Sequence, residues 1–323
     1  MITERLLNPS HNLPFLVELE PEIGAKPDSN ALLSWYRSKE AFLEQTLLKH
    51  GAILFRGFGI NTPALFARFT RSVSRTLLDN KEENVPRTKL TSGVYTSTEY
   101  PAEYRLSMHS EYSYSHHWPA RLFFCCIVAP QEGGETPIAD NREVLKGLAP
   151  EIVGEFRQKK VKYLRNLHGG KGFGLAWQTA FQTDDKEVVE NYCRKSAIEF
   201  CWSENGLRLS QMLDGIIEHP KTGEPVWFNQ APQFHPSDYP PDIYRSILEA
   251  YKDESELPQN VRFGDGAPMD ETLLGKIRGM MEEKSVLFPW QEGDLLMLDN
   301  VLVSHGRMPF SGPRKILVAM SEN

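Results

Sequence analysis

The sequence has few cysteines and no long apolar run. Its 323 residues include only Cys125, Cys126, Cys193 and Cys201. Four thiols are too few for a disulfide scaffold in a chain of this length, and their spacing is not that of a zinc knuckle. No uninterrupted apolar stretch reaches membrane length, and the first residues lack the apolar segment of a signal peptide. We therefore expect a reduced, soluble, cytoplasmic protein without a membrane partner.

An excess of positive charge is also missing. The chain has 36 Lys and Arg residues against 43 Asp and Glu residues, which gives a formal net charge of −7. Nucleic-acid-binding proteins usually carry a basic patch, so no nucleic-acid partner is expected. What the chain does have is a hydrophobic content of 40%, which is enough for a substantial core.

The periodicity of the apolar residues predicts helices early and strands at both ends of the chain. A helical pattern covers residues 29–49, and the glycine-bounded run at 51–60 is typical of a buried strand. Thr62 opens a second helix. The run RLFFCCIV at 121–128 and three runs within 285–321 have the composition of strands.

This order of elements favours a mainly β protein with α decoration. We expect one domain over residues 1–323, with a jelly-roll core built from about 51–160 and 285–320. The region from about 161 to 284 mixes short strand patterns, helices and many aromatic residues, and we interpret it as an insert or lid.

His109 and Glu111 are the first candidate metal ligands. On a strand, residues two apart project from the same face, so an imidazole and a carboxylate would lie side by side. Two imidazoles and one carboxylate form a facial site for non-haem iron, and His305 could supply the third ligand. His-x-Glu alone is a weak motif. A zinc hydrolase uses the same ligand types, and a non-catalytic jelly-roll binding protein also remains open.

Thr136 and Arg314 could hold a carboxylate near that site. An arginine fork pairs bidentately with a carboxylate, and a threonine hydroxyl adds a hydrogen bond. Each residue also has an ordinary interpretation, Thr136 as a β former and Arg314 as half of a surface ion pair. A hydrolase has no need of a carboxylate anchor at this position, so the pair discriminates between the two enzyme classes.

Together these motifs resemble the TauD/TfdA-type iron(II)/2-oxoglutarate-dependent dioxygenases, and within them the SyrP-like branch, which has Glu in the metal motif. His-x-Glu, Gly-Gly-x-Thr, His-Gly-Arg and Arg occur in the family's order. The likeness extends from about Gly51 to Met320. It is carried by GAILFRGF, TSTEYP, HSEYSY, PARLFFCC, GGETPIAD, HPKTGEPVWFNQ and GDLLMLDNVLVSHGRMPFSGPRKI.

The resemblance implies a double-stranded β-helix with an iron(II) site formed by His109, Glu111 and His305. Thr136 and Arg314 match the positions that bind the distal carboxylate of 2-oxoglutarate. With O2, such enzymes convert 2-oxoglutarate to succinate and oxidise an unactivated C–H bond, while the protein positions the substrate. Related halogenases lack the carboxylate ligand, so Glu111 favours hydroxylation.

SyrP-like relatives act on amino acids, often while these are attached to a carrier protein. The resemblance therefore implies an amino acid substrate, free or bound to a peptidyl carrier protein, in nonribosomal peptide or antibiotic biosynthesis. Desaturation, cyclisation or oxidative cleavage of another small carboxylate remain open. Further candidates for contact with the substrate or the metal ligands are Glu99, Tyr100, Arg307 and Asn229.

A carrier protein is acidic, so its docking surface should be locally basic. Lys159, Lys160 and Lys162 are a candidate patch, although a solvated face is the alternative interpretation.

Overall fold

The structure is a computed structural model, and it describes residues 1–20, 29–79, 82, 87–91, 93–97, 100–251 and 253–322. Glu99 lies outside these residues, so its predicted role stays a prediction. No helix in the described parts is long and apolar enough to cross a membrane.

Short helices and strands alternate along the chain. The helices are α1 (Ser29–Ser38), α2 (Glu40–His50), α3 (Pro63–Val73), α4 (Asn141–Gly147), α5 (Pro150–Lys159), α6 (Trp177–Phe181), α7 (Lys186–Lys195), α8 (Ala231–Phe234), α9 (Pro241–Ala250) and α10 (Glu271–Glu283). The strands are β1 (Ile2–Leu6), β2 (Phe15–Leu19), β3 (Ala52–Arg56), β4 (Lys89–Thr91), β5 (Val94–Thr96), β6 (Leu106–His109), β7 (Arg121–Val128), β8 (Glu132–Gly133), β9 (Ile138–Asp140), β10 (Val161–His168), β11 (Glu199–Ser203), β12 (Gly206–Leu213), β13 (Ile216–Glu218), β14 (Pro225–Trp227), β15 (Gln259–Phe263), β16 (Ser285–Val286), β17 (Leu295–Asp299), β18 (Val303–Arg307), β19 (Phe310–Ser311) and β20 (Lys315–Ser321).

Two sheets pack face to face as a jelly roll, which confirms the predicted fold class. The larger sheet has the order β1-β2-β3-β17-β7-β20-β5-β4, and the smaller one β16-β9-β18-β6. Apart from the parallel β2–β3 pair, neighbours in both sheets are antiparallel. One core cluster contains Phe124 from the larger sheet and Ile138 and Val303 from the smaller, so it fills the space between them.

Strand β7 is buried on both faces, which explains its unbroken run of apolar residues. Phe124 and Cys126 point into the core between the sheets, whereas Phe123 and Cys125 belong to the core under α1–α3. This alternation follows from the two-residue period of a strand. Both cysteines are therefore small buried side chains, and burial raises the pKa of each thiol.

The predicted helix over residues 29–49 is two helices, α1 and α2, interrupted at Lys39. Helix α2 ends at Gly51, whose φ of 70° is left-handed and whose N–H donates to the Leu47 carbonyl. A Cβ at Gly51 would lie 2.4 Å from a Val303 side-chain carbon. Both the left-handed φ and this close approach therefore require glycine. Thr62 caps α3 by accepting from the Leu65 N–H, as predicted.

The region predicted as an insert contributes a third sheet, with the order β11-β12-β10-β15. Alternate residues of β10 are buried, and the two ends of this buried face contact different cores. Tyr163 belongs to the main core, while Leu167 packs in a satellite cluster with Trp177 and Val189. That this region forms an insert or lid of a single domain stays a prediction.

Candidate metal and co-substrate site

His109, Glu111 and His305 bring their ligand atoms within 4.8 Å of one another. His109 ends β6 and His305 lies opposite it on β18, so strand pairing places the two rings 4.5 Å apart. All three residues are buried. Two imidazole nitrogens and one carboxylate oxygen on one face are the donor set of non-haem iron(II) sites, so the residues present fit that metal.

Glu111 reaches the site through a turn, not through strand alternation, which corrects the expected local geometry. Strand β6 ends at His109, and Glu111 lies in the turn that follows, just before Tyr112 with a left-handed φ of 56°. The side chain of Asn300 accepts a hydrogen bond from the Glu111 N–H at 2.7 Å and donates to its carbonyl at 2.9 Å. The turn is thus held by a residue from the segment between β17 and β18.

The hydrogen bond between His109 and Ser107 determines which imidazole nitrogen is free for a metal. Nδ1 of His109 lies 2.8 Å from the Ser107 carbonyl, which can only accept, so Nδ1 carries the proton and Nε2 is left as the ligand atom. Burial lowers the pKa of His109, and lowers that of His305 further. Both rings are therefore neutral, as metal ligands must be.

Arg87 lies against Glu111, and the sequence patterns did not single it out. Its Nη2 is 2.8 Å from Oε2 of Glu111, and both side chains are at most 10% exposed. Burial opposes ionisation of Glu111, but Arg87 and His109 outweigh it and lower the pKa of that carboxyl. The sequence signal for Arg87 was its place in the polar, loop-like stretch at residues 80–104 that precedes His-x-Glu.

Thr136 and Arg314 line one narrow cleft together with His305 and Arg87. Nε of Arg314 donates to the Gly134 carbonyl at 2.9 Å, and the Trp290 indole donates to the Thr136 hydroxyl at 3.2 Å. Both side chains are thus held in place from outside the cleft.

Arg314 has no ion-pair partner among the described residues, although its guanidinium is largely buried and burial lowers its pKa. A buried cation without a counter-charge is costly unless an anion completes it. The cleft therefore fits a carboxylate ligand beside the metal triad, as 2-oxoglutarate would supply.

Arg307 organises the loop beside the cleft. Its two η nitrogens donate to the carbonyls of Tyr100, Pro101 and Tyr104 at 2.6–2.7 Å. These three bonds explain why an arginine follows the His-Gly pair: Arg307 positions the loop that bears Tyr100. They use three of its four η N–H groups, and its Nε has no partner among the described residues, so a contact between Arg307 and the substrate stays a prediction.

Asn229 lies apart from the residues that line the cleft. Its side chain donates to the Gly215 carbonyl at 2.8 Å and accepts from the Ala231 N–H at 3.1 Å. The structure thus gives it local backbone contacts and does not bring it to the metal triad.

A cavity of about 610 Å³ adjoins the back of His109. Its wall includes Ser107 and Gln233, whose carbonyl and side-chain amide are the two groups in contact with His109 Nδ1. Tyr100 lines it too, together with Leu167 and Phe173. A cavity of this size, mostly apolar with a few polar groups, has the character of a site for a small molecule.

Two relatives are similar over most of the chain. The dapdiamide synthesis protein DdaC of Enterobacter agglomerans is 41% identical over 279 residues, 86% of this chain and 84% of that protein. A clavaminate synthase-like protein of Arabidopsis thaliana is 29% identical over 297 residues, 88% of this chain and 85% of that protein.

Solved structures share the fold at low sequence identity. PvcB from Pseudomonas aeruginosa has a TM-score of 0.57 at 14% identity, covering 99% of this chain and 91% of that one. A second structure of PvcB, described as an Fe, alpha-ketoglutarate dependent oxygenase from an isonitrile synthetic pathway, has a TM-score of 0.56 at 13% identity with the same coverage.

The family comparison agrees with the site. The model of the taurine catabolism dioxygenase TauD, TfdA family matches residues 16–320, nearly the whole chain. A specific relation to the SyrP-like branch stays a prediction. With the metal triad and the carboxylate cleft in place, the hydrolase and binding-protein alternatives lose their support. The chain belongs to the TauD/TfdA family, and it is an iron(II)- and 2-oxoglutarate-dependent dioxygenase.

Proposed function

We propose that this enzyme hydroxylates an aliphatic C–H bond of an amino acid, free or carrier-bound, in secondary metabolism. Support comes from one relative and one structural neighbour whose descriptions refer to the making of small natural products, a dapdiamide for DdaC and an isonitrile for PvcB. The substrate that is oxidised is a small molecule bound in the cavity beside His109. Desaturation, cyclisation or oxidative cleavage are the alternative outcomes, and the mass of the product distinguishes them.

The observation that carries the proposal is the uncompensated charge of Arg314 beside the metal triad. Its guanidinium lines the same cleft as His305 and Thr136, and it is held by Gly134 with no carboxylate partner among the described residues. A 2-oxo acid that chelates a metal at the triad needs this type of anchor for its far carboxylate. A metal hydrolase does not need it.

The residues divide the work between holding the metal and holding the co-substrate. His109, Glu111 and His305 would bind iron(II), which when bound supplies O2 activation coupled to decarboxylation of 2-oxoglutarate. Ser107 keeps His109 in the tautomer that presents Nε2. Thr136 and Arg314 orient the distal carboxylate, and the Trp290 indole holds the Thr136 hydroxyl.

Glu111 argues for hydroxylation over halogenation. Glu111 would bind the metal at the place that a halide would need, so a halide would have no place beside it. Arg87 compensates the charge of the same carboxylate when no metal is bound. This lowers the cost of burying the Glu111 carboxylate in the metal-free protein.

The candidate surface for docking a carrier protein consists of Lys159, Lys160 and Lys162. Nζ of Lys159 lies 2.9 Å from Glu155 and Nζ of Lys160 lies 3.1 Å from Asp214, so two of the three lysines are already paired. A carrier-bound substrate is therefore proposed from the resemblance alone.

A charge-transfer experiment tests the class of the enzyme. Anaerobic iron(II) with 2-oxoglutarate should give a weak visible band that is lost in His109→Ala and His305→Ala. No band, together with no binding of 2-oxoglutarate to the wild type, would refute the oxygenase function.

Mass spectrometry tests the substrate class. The enzyme is incubated with iron(II), 2-oxoglutarate and a panel of amino acids, each free and loaded on a carrier protein. One added oxygen atom in a product supports hydroxylation, and the loss of two hydrogens supports desaturation or cyclisation. Reactions without 2-oxoglutarate and with His305→Ala are the controls. Turnover of a carboxylate without an amino group in preference to every amino acid would contradict the proposal.

A further inference from the structure

Asp238 is an acidic side chain at the wall of the 610 Å³ cavity, and nothing in the iron and 2-oxoglutarate chemistry accounts for it. It ends the short 3-10 turn Pro236–Asp238, which precedes α9. Its side chain is only 16% exposed. A carboxylate in such a position is unusual because burial disfavours the charged form.

Asp238 is connected to a metal ligand through one residue. The Ser107 hydroxyl donates to Oδ1 of Asp238 at 2.7 Å, and the Ser107 carbonyl accepts from Nδ1 of His109 at 2.8 Å. Two short hydrogen bonds thus relate the carboxylate to the iron site. A group bound to Asp238 would be held at a defined place relative to the metal.

The carboxylate is incompletely neutralised. Its nearest cation among the described residues is Arg278, whose Nε is 3.6 Å from Oδ1, while the η nitrogens of Arg278 bond to the Ser237 hydroxyl. No group within the described residues donates a hydrogen bond to Oδ2 of Asp238. Burial accordingly raises the pKa of Asp238 to about 6, against the opposing effects of Ser107 and Arg278.

The cations of the cavity wall already have partners. Arg165 lies 3.3 Å from the buried carboxylate of Glu82, and Arg105 pairs with Glu282. The wall also includes Glu103, which is exposed. The charge that the described part of the cavity offers to a ligand is therefore negative, and the matching ligand group is a cation.

We propose that Asp238 binds the primary ammonium group of the substrate inside the 610 Å³ cavity. The assignment rests on the proposed function, which it deepens: the substrate carries an amine, and the amine is recognised by Asp238. Because Arg165 and Arg105 are paired with Glu82 and Glu282, the described cavity wall offers no unpaired cationic side chain for a free α-carboxylate. This favours an amine whose carboxyl group is masked as an amide, ester or thioester.

Calorimetry with matched probe pairs tests this role on the protein loaded with manganese(II) and 2-oxoglutarate, which is not turned over. The first pair is hexylammonium and 1-hexanol. The second is L-leucinamide and 4-methylpentanamide, which differ only in the amino group. The wild type should bind each amine at least about tenfold more tightly than its partner, as a charge-assisted hydrogen bond would provide. L-leucinamide should also bind more tightly than L-leucine.

In Asp238→Asn the two probes of each pair should bind with affinities that differ by no more than about twofold. The amide keeps the size of the side chain but removes its charge. Asp242→Asn, at the exposed start of α9, is the matched control and should keep the preference. Equal binding of amine and partner by the wild type would overturn the role of Asp238, whether or not the variant folds. An undiminished preference in a folded Asp238→Asn would do the same.

The anaerobic iron(II)–2-oxoglutarate band is recorded on the same preparations. A normal band without a preference for the amines refutes only the role of Asp238 in ammonium binding. A preference without the band overturns the oxygenase function and leaves Asp238 as an ammonium site. Tighter binding of L-leucine than of L-leucinamide would overturn the inference of a masked carboxyl group.

Discussion

The side-chain amide of Asn300 forms hydrogen bonds with both the N–H and the carbonyl of Glu111, a residue 189 positions earlier in the chain. Its Oδ1 accepts from the Glu111 N–H, while its Nδ2 donates to the carbonyls of Glu111 and Pro119, both at 2.9 Å. Asn300 is fully buried. The segment between β17 and β18 thus holds the carboxylate of the candidate metal site in place, and β18 itself carries His305.

Asn300→Ala should weaken iron binding, because the turn that carries Glu111 loses both of its side-chain hydrogen bonds. A loss on the order of 10- to 100-fold is expected from the effect of such supporting contacts on metal affinity. Titration of the apoprotein with iron(II) measures it. Asn229→Ala is the control, since it also removes a buried amide bonded to backbone, and it should lower stability with unchanged iron affinity. Equal iron affinities of the two variants would contradict the role of Asn300.

Arg314→Ala should weaken binding of 2-oxoglutarate by about 10- to 100-fold, the range expected for loss of a charge-assisted hydrogen bond. Iron binding should change little, because Arg314 contacts Gly134 and Ser97 and none of the metal ligands. Titration of the charge-transfer band with 2-oxoglutarate gives one affinity, and metal titration without it gives the other. Arg314→Lys keeps the charge but not the planar fork and should fall between. Parallel loss of both affinities would argue against this assignment.

Arg87→Gln should destabilise the metal-free protein more than the metal-bound protein. The substitution leaves the buried Glu111 carboxylate without its cation, a change that typically costs about 3–5 kcal/mol. A bound divalent metal supplies the missing positive charge and should recover most of the loss. Thermal unfolding with and without manganese(II) measures both states, and wild-type protein gives the reference metal effect. If the variant loses the same stability in both states, Arg87 does not substitute for the metal charge.

Asp238→Asn should increase stability at neutral pH. Burial raises the pKa of Asp238 from 3.8 to about 6, so the folded state binds a proton that the unfolded state has already released. Its stabilising contribution is fully present below pH 3.8 and is lost as pH rises through 6. A shift of this size corresponds to an upper bound of roughly 3 kcal/mol.

Denaturant unfolding at several pH values checks this sign. The stability of Asp238→Asn relative to wild type should rise between pH 4 and pH 7 and then level off. Asp242→Asn, which removes an exposed carboxylate from the neighbouring helix, is measured alongside as the control. A difference that is constant with pH would mean that the pKa of Asp238 is not raised.

Local patterns were sufficient for much of the fold. The two-sided burial of β7 follows from RLFFCCIV, and the end of α2 at Gly51 follows from the need for a left-handed residue. Helix propensity did not reveal the interruption at Lys39, because the apolar period continues across it. The short strands β4 and β5 were also missed, since three residues are too few to show a period of their own, and they become strands by pairing with each other and, for β5, with β20.

The candidate ligands illustrate how residue identity and geometry separate. His109, Glu111 and His305 were found through residue type and the order of motifs, yet Glu111 arrives by a turn that strand alternation did not predict. Arg87, Asn300 and Asp238 were not found at all. Each acts on a residue at least 24 positions away, and no local pattern encodes such a pair.

The sequence by itself determined the family and the candidate metal donor set, and it predicted the carboxylate anchor, because these depend on chemical type and on the order of motifs along the chain. Only the tertiary structure decided which charges are paired. Within the described ranges Arg314 has no counter-ion, whereas Arg165 is paired with Glu82, although both are arginines on strand-like segments. The difference is physical: the cost of a buried charge depends on what surrounds it in space, and those neighbours come from distant parts of the chain.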